Sequence, residues 1–298
     1  MSAPELTPER DFAGRQCLGK RSEQEDTYAF SEFLGADGTP NGLLIVLADG
    51  MGGHSAGHEA SDLAVRAFVA AFHGGNSGLP ERLTAALHAA NAAISEAIKA
   101  SPESLEGMGT TLVGAAITPE GLAWISVGDS PLYLHRAGQL HRINDDHSFR
   151  PILREMVEKG EITQEQAVHS SLRNRLRAAL TGDEIAMVSA AAAPMYLLKD
   201  DLILVASDGI QTLTDDAIAK GIEETPGADA SKTADGLLQA VLTAARPKQD
   251  NTTVAILKPP PAWFLRGPSE ARDEAEDTKP FIPRERRPPP AKNDTPPS

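Results

Sequence analysis

Four aspartates stand at the edges of short apolar runs. Leu43–Ala48 (LLIVLA) leads into Asp49, and Leu122–Val127 (LAWISV) leads through Gly128 into Asp129. Leu202–Ala206 (LILVA) leads through Ser207 into Asp208, and Asp250 with Asn251 directly precedes Thr252–Leu257 (TTVAIL). Each aspartate alone reads equally as an ordinary turn residue, because Asp before Gly or Ser commonly closes a strand. Four in one chain suggest more, since strand ends let a rigid scaffold aim side chains at one point. Carboxylates that converge repel one another unless cations lie among them. Ligation by oxygen alone selects hard ions: Mg²⁺, Mn²⁺ or Ca²⁺. Zinc does not fit, because the chain has one cysteine and no His-x-His or HExxH spacing.

Two further stretches bear on such a site. Asp49 to His54 (DGMGGH) is glycine-rich beyond the needs of a turn, and Gly50 could offer its carbonyl to a cation. It is neither a P-loop nor GxGxxG. Upstream, Arg21 precedes Glu25 and Asp26 by four and five residues, a spacing open to two readings. One is a phosphate fork beside acids that orient metal-bound water; the other is a charged loop. His54, His58 and Glu59 have helical spacing but no third ligand in register, which reads as a solvated helix start. His169 could touch a substrate, and Cys17 reads as a small, partly buried residue.

The elements that must position these residues follow from apolar periodicity. The runs above, with Thr110–Ile117 (TTLVGAAI), read as buried strands bounded by Gly, Asp or Pro. Gly128–Gly138 reads as a turn and a return strand. Helical faces appear at Ala60, Leu63, Ala64, Ala67, Phe68 and Ala71, and at Leu83, Leu87, Ala90, Ile94 and Ile98. A third comprises Leu237, Leu238, Val241 and Leu242. Two helices in succession, followed by hairpin-like strands, favour antiparallel sheets covered by helices over a doubly wound parallel sheet. Residues 148–182 form a charged, helix-prone insertion. From Lys258 the chain holds half of its 22 prolines and few aliphatics, so this tail reads as disordered, with Trp263 and Phe264 as a conceivable docking element.

Composition narrows the partners. The net charge of −14 argues against nucleic acid and anionic membranes, which bind clustered Lys and Arg. No signal peptide and no run of about 18 apolar residues is visible, which with a single cysteine points to the cytoplasm.

Taken together, the motifs resemble those of the metal-dependent serine/threonine protein phosphatases of type 2C, in particular the bacterial ones. The pieces occur in that family's order: Arg21 with Glu25 and Asp26, then Asp49-Gly50-Met51-Gly52-Gly53, then Gly109-Thr110-Thr111. Val127-Gly128-Asp129-Ser130, Asp146-His147-Ser148, Ser207-Asp208-Gly209 and Asp250-Asn251 follow. The resemblance implies an α+β fold, a four-layer α-β-β-α sandwich of two antiparallel sheets flanked by helix pairs, with a small helical flap at about 148–182. It implies a catalytic domain over 12–257, between an N-terminal extension (1–11) and the tail (258–298). By the same resemblance, Asp49 bridges two Mn²⁺ or Mg²⁺ ions, the Gly50 carbonyl binds one, and Asp208 with Asp250 holds the other. Glu25 and Asp26 orient metal-bound water, and Arg21 holds the substrate phosphate. The implied reaction is hydrolysis of phosphoserine or phosphothreonine in proteins by direct attack of a metal-bridging water. The expected substrates are those of a bacterial-type Ser/Thr kinase, and the expected state is a monomer.

The chain departs from the family pattern in three places. Met51 stands where some members have a histidine proposed as general acid, which leaves His54 as a nearby candidate. Pro131 replaces the arginine that usually follows VGDS. Thr212 replaces an acid often found four residues after the aspartate of SDG, so a third, weaker metal at Asp129 would have one ligand fewer. These departures keep a second reading open: a weak or inactive phosphatase fold that binds or senses. A hydrolase of small phosphate esters is a third.

Overall fold

Alternation along the buried strands decides the layers. In the longest strand, β3 (Pro40–Met51), Leu43, Ile45 and Leu47 join one apolar cluster while Leu44, Val46 and Ala48 join another. A strand sends successive side chains to opposite faces, so β3 must be covered on both. The computed structural model, which describes residues 6–35, 40–52, 55–225, 227 and 229–263, shows what covers it.

The elements run β1 (Phe12–Cys17), β2 (Asp26–Leu34), β3, α1 (Ser55–Gly74), α2 (Leu79–Ala100), α3 (Pro102–Leu105), β4 (Gly109–Thr110) and β5 (Leu112–Thr118). They continue with β6 (Gly121–Val127), β7 (Leu132–Arg136), β8 (Gln139–Arg142), α4 (Arg150–Glu158) and α5 (Gln164–His169). The last are β9 (Ser189–Ala190), β10 (Leu202–Ala206), α6 (Asp215–Glu223), α7 (Ala230–Thr243) and β11 (Thr252–Leu257). One sheet has the order β1-β11-β10-β7-β8; the other has β2-β3-β5-β6-β9, with β4 paired to β3. The strand pairs within both sheets are antiparallel.

Three apolar clusters separate four layers. Leu44, Val46 and Ala48 pack with Ala60, Ala64 and Phe68 of α1 and Leu83, Leu87 and Ile94 of α2. Leu43, Ile45 and Leu47 meet Leu132, Leu134, Ile203 and Val205 of the facing sheet. Leu204, Ala206, Val254 and Ile256 on that sheet's far side meet Ile218 and Ile222 of α6 and Leu237 and Val241 of α7. This is the expected α-β-β-α sandwich. Phe68 fits against β5 because Gly114 lies beneath it, where a Cβ would collide with the ring. In the third helix the apolar face is narrower than periodicity suggests, for Leu242 is largely exposed.

The strands that the apolar runs did not reveal are β1, β2, β8 and β9. Their residues are mostly half-buried, so polar and apolar side chains mix and no continuous run results. Thr110–Ile117 resolves into β4 and β5, with Thr111 between them. The 148–182 insertion carries α4 and α5, the second begun by a reciprocal capping box between Thr163 and Gln166. Packed structure also extends past both expected boundaries. Leu6 and Trp263 are buried in the cluster between the sheets, so the chain contributes to that core on both sides of 12–257. The rest of the Pro-rich segment, 264–298, lies outside the described residues, as does Phe264.

Two predictions follow from this packing. Trp263→Ala should lower unfolding free energy by about 3–5 kcal/mol, the usual cost of emptying a large aromatic site; an unchanged denaturation midpoint would place Trp263 outside the core. His135 on β7 is buried, its Nε2 has no hydrogen-bond partner among the described residues, and burial lowers its pKa. The unfolded imidazole takes up a proton near pH 6.5 while the folded one resists it, so stability falls as pH drops below that value. His135→Gln should therefore lose less Tm between pH 7 and 5 than the wild type does.

Candidate active site

Antiparallel pairing brings distant segments to one end of the sandwich. In the β2–β3–β5–β6 sheet that end holds the start of β2, the end of β3, the start of β5 and the end of β6. In the facing sheet it holds the end of β1, the start of β11, the end of β10 and the start of β7. Arg21, Asp26, Asp49, Asp129, Asp208 and Asp250 all lie within a few residues of these ends. Asp49 is not past its strand, as the run LLIVLA suggests. β3 continues to Met51, pairing with β4, and places Asp49 opposite Asp26.

Burial and mutual charge dominate the chemistry of this end. Asp26, 3% exposed, has its pKa raised to about 6, first by burial and then by the charges of Asp208 and Asp250. Hydroxyls of Ser207 and Thr253 oppose that shift, each donating to its Oδ2 at 2.7 Å. Asp129, 4% exposed, is raised to about 7 by burial and by Asp208. Asp49 is held well above the ordinary carboxylate range by burial and by Asp26, Asp208, Asp129 and Asp250 together. Asp208 is raised by burial, with Arg150 pulling the other way. Five carboxylates thus sit within electrostatic reach of one another, as the strand-end pattern suggests.

Guanidinium groups stand among them. Arg21 Nη2 lies 2.6 Å from Asp250 Oδ2, and its Nη1 lies 3.8 Å from Glu25 Oε2. Arg150 reaches Asp129 at 3.5 Å and Asp208 at 3.2 Å. Among the described residues no three His, Cys, Asp or Glu side chains close around a single point as they stand. The donor set nonetheless suits a hard divalent ion: it is all oxygen, and Asp26 Oδ1 is buried with no hydrogen-bond partner among the described residues. Gly50 is fixed by close approach, because a Cβ there would overlap the Gly57 carbonyl at the start of α1. Its N–H donates to the Glu25 carbonyl at 3.1 Å, which ties Glu25 to the Asp49 strand.

The order of these groups along the chain matches one family. The model of that family, described as Protein phosphatase 2C, matches residues 13–243, from β1 to the end of α7. The chain belongs to the protein phosphatase 2C family. It is 35% identical over 219 residues to the serine/threonine protein phosphatase PstP of Mycobacterium tuberculosis, a match covering 72% of this chain and 40% of that protein. The chain thus spans less than half the length of that curated relative. A crystal structure of the M. tuberculosis phosphatase PstP/Ppp superposes with TM-score 0.66 at 32% identity, covering 83% of this chain and 97% of that one. The PstP catalytic domain in complex with two manganese ions gives TM-score 0.63 at 32% identity, covering 83% and 96%.

Within this 2C-type fold further motif residues brace the acidic ones. Thr111 Oγ1 accepts the Asp49 N–H at 3.0 Å and pairs with the Ser130 hydroxyl at 2.8 Å, while Thr110 donates to the Asp49 carbonyl. Asn251 accepts the Glu25 N–H at 2.9 Å and donates to the carbonyls of Leu18 and Glu23, each at 3.0 Å. It therefore staples the loop that carries Arg21. Asp146 accepts from the backbone N–H and hydroxyl of Ser148 and pairs with Arg142, which fixes the entry to the flap. His147 Nδ1 accepts the Gly128 N–H at 3.2 Å.

Some residues of the site carry little signal in the sequence. Gln249 is buried and bonds to Gly209, Asp250, Thr252 and Thr212, linking the SDG and DN segments. Its only signal is its place beside Asp250. Arg150 had a weaker one, since it lies two residues beyond DHS in a segment rich in arginine. His58 and Glu59 are exposed, in keeping with a solvated helix start, and His169 is exposed as well. His54 lies outside the described residues.

Asn251→Ala removes three hydrogen bonds from the loop at 18–25. It should raise KM for a phosphopeptide several-fold and lower Tm, with a smaller effect on kcat; a change in kcat alone would assign Asn251 another role.

Proposed function

We propose that this chain hydrolyses phosphoserine and phosphothreonine in proteins with the help of two divalent ions, Mn²⁺ or Mg²⁺. The observation that carries this reading is the gathering of Asp26, Asp49, Asp129, Asp208 and Asp250 at one end of the sandwich, beside a half-exposed arginine. The two manganese ions of the similar PstP catalytic domain support it. Asp49 would bridge the ions and the Gly50 carbonyl would bind one of them. Asp208 and Asp250 would hold the other, with Glu25 and Asp26 orienting water beside them. Bound there, the ions would supply Lewis acidity and lower the proton affinity of water at neutral pH.

The chain's own groups do the positioning. A guanidinium has five N–H donors, and Arg21 gives one short contact to Asp250 while its side chain is 51% exposed. In this reading Arg21 receives the phosphate and follows its charge through an in-line displacement, and its exposure supports that role. Asn251 and Gly50 keep Arg21 and Glu25 in register with Asp49 and Asp250. The departing serine or threonine oxygen needs a proton, for which this reading offers two candidates, His54 and a metal-bound water. The substrates in this reading are phosphoproteins made by a bacterial-type Ser/Thr kinase, and the protein acts as a cytoplasmic monomer. Its net charge of −14 disfavours nucleic acid, and among the described residues no helix is long and apolar enough to cross a membrane.

Turnover of a phosphothreonine peptide should vanish in EDTA and return with Mn²⁺. Asp208→Ala and Asp250→Ala should each cost about a hundredfold or more in kcat, as does removal of a group that stabilises transition-state charge. Full turnover in EDTA, or in both variants, would rule this function out. Hydrolysis of p-nitrophenyl phosphate without any turnover of the peptide would instead point to small phosphate esters.

A further inference from the structure

Arg150 opens α4, the first helix of the flap, yet its guanidinium is seated among the aspartates below. Nη1 lies 3.5 Å from Asp129 Oδ2, and Nη2 lies 3.2 Å from Asp208 Oδ2. Asn174 Oδ1 accepts from Nη2 at 3.1 Å, and Gln211 Oε1 accepts from Nη1. The arginine side chain is 11% exposed, that of Asp129 5% and that of Asp208 20%. Two carboxylates drawn from water at this depth need a positive charge between them. Here a covalently attached one supplies it.

The surroundings favour the same conclusion. Position 212, where an acid would add a ligand beside Asp129, is a threonine whose hydroxyl is spent on Gln249 Oε1 at 2.6 Å. Pro131 brings no charge to the VGDS turn, but Arg142 reaches the Asp129 carbonyl oxygen at 2.8 Å. The nearby Asp146 carboxylate is itself paired with Arg142 at 3.2 Å, so the Asp129 side of the pocket is already supplied with cationic side chains.

We propose that the Arg150 guanidinium takes the place of a third cation between Asp129 and Asp208, so that the protein binds two divalent ions and uses a flap residue for the remaining charge. This rests on the two-ion reading above. Because Arg150 belongs to α4, the same contact pins the flap to the catalytic floor. Flap position and charge balance at Asp129 are thereby one coupled feature, whereas a diffusible ion would leave them separate.

The test counts bound Mn²⁺ on the full chain, by isothermal titration calorimetry and by loss of the free-ion EPR signal, for wild type, Arg150→Ala and Arg150→Lys. Two ions are expected for wild type and for Arg150→Lys, which keeps the charge, and three for Arg150→Ala. Circular dichroism establishes that the variants are folded; should Arg150→Ala not fold, Arg150→Gln serves in its place. Three ions in wild type, two in the neutral variant, or a third ion bound as readily by Arg150→Lys as by Arg150→Ala would each overturn the proposal. Wild type that binds no Mn²⁺ would overturn the two-ion reading itself, and this inference with it.

Discussion

Repulsion among carboxylates at one end of the sandwich is the constraint around which this structure is arranged. Asp49 sits within reach of four other aspartates, and Asp26 and Asp129 are almost wholly removed from water. In such surroundings two like charges a few ångströms apart interact far more strongly than in bulk solvent. Nothing local to these side chains favours their assembly in the absence of cations. The scaffold must hold them there, and it does so with apolar clusters on both faces of both sheets.

The partial remedies built into the chain are all within one or two side chains of the problem. Ser207 and Thr253 donate to Asp26, Arg21 pairs with Asp250, and Arg150 lies between Asp129 and Asp208. These relieve Asp26, Asp250, Asp129 and Asp208, while among the described residues Asp49, at the centre, forms no ion pair. Ions drawn to such a centre would gain affinity from the same repulsion that weakens the empty fold. Stability and metal affinity are therefore linked through the same five residues.

Antiparallel topology is what makes the convergence possible. Asp26 opens β2 and Asp49 lies near the end of β3, so pairing the two strands places the acids opposite each other. Like charges directly opposite on a ladder are destabilising. The apolar burial of Leu43 to Ala48 on both faces of β3 holds the register against this repulsion. The same rule delivers the ends of β6 and β10 and the starts of β7 and β11 to the same edge. A parallel arrangement would have scattered them to both ends.

What the sequence determined by itself was chemistry of a local kind. Runs such as LLIVLA and TTVAIL had to be buried strands, and an aspartate beside each had to lie near a strand end, because periodicity and turn chemistry act over a few residues. The order of short motifs from Arg21 to Asn251 was enough to suggest the family. Tertiary structure decided the rest. β1 and β2 are half-exposed and polar-mixed, so only their partners β11 and β3 define them as strands. Trp263, in a proline-rich stretch that reads as tail, is core because the gap between the sheets accepts it. Arg150 belongs to the site only because the flap folds back over Asp129 and Asp208, and Gln249 only because the SDG and DN segments meet around it. Such contacts join residues distant along the chain, and neither side-chain type nor spacing carries a record of them.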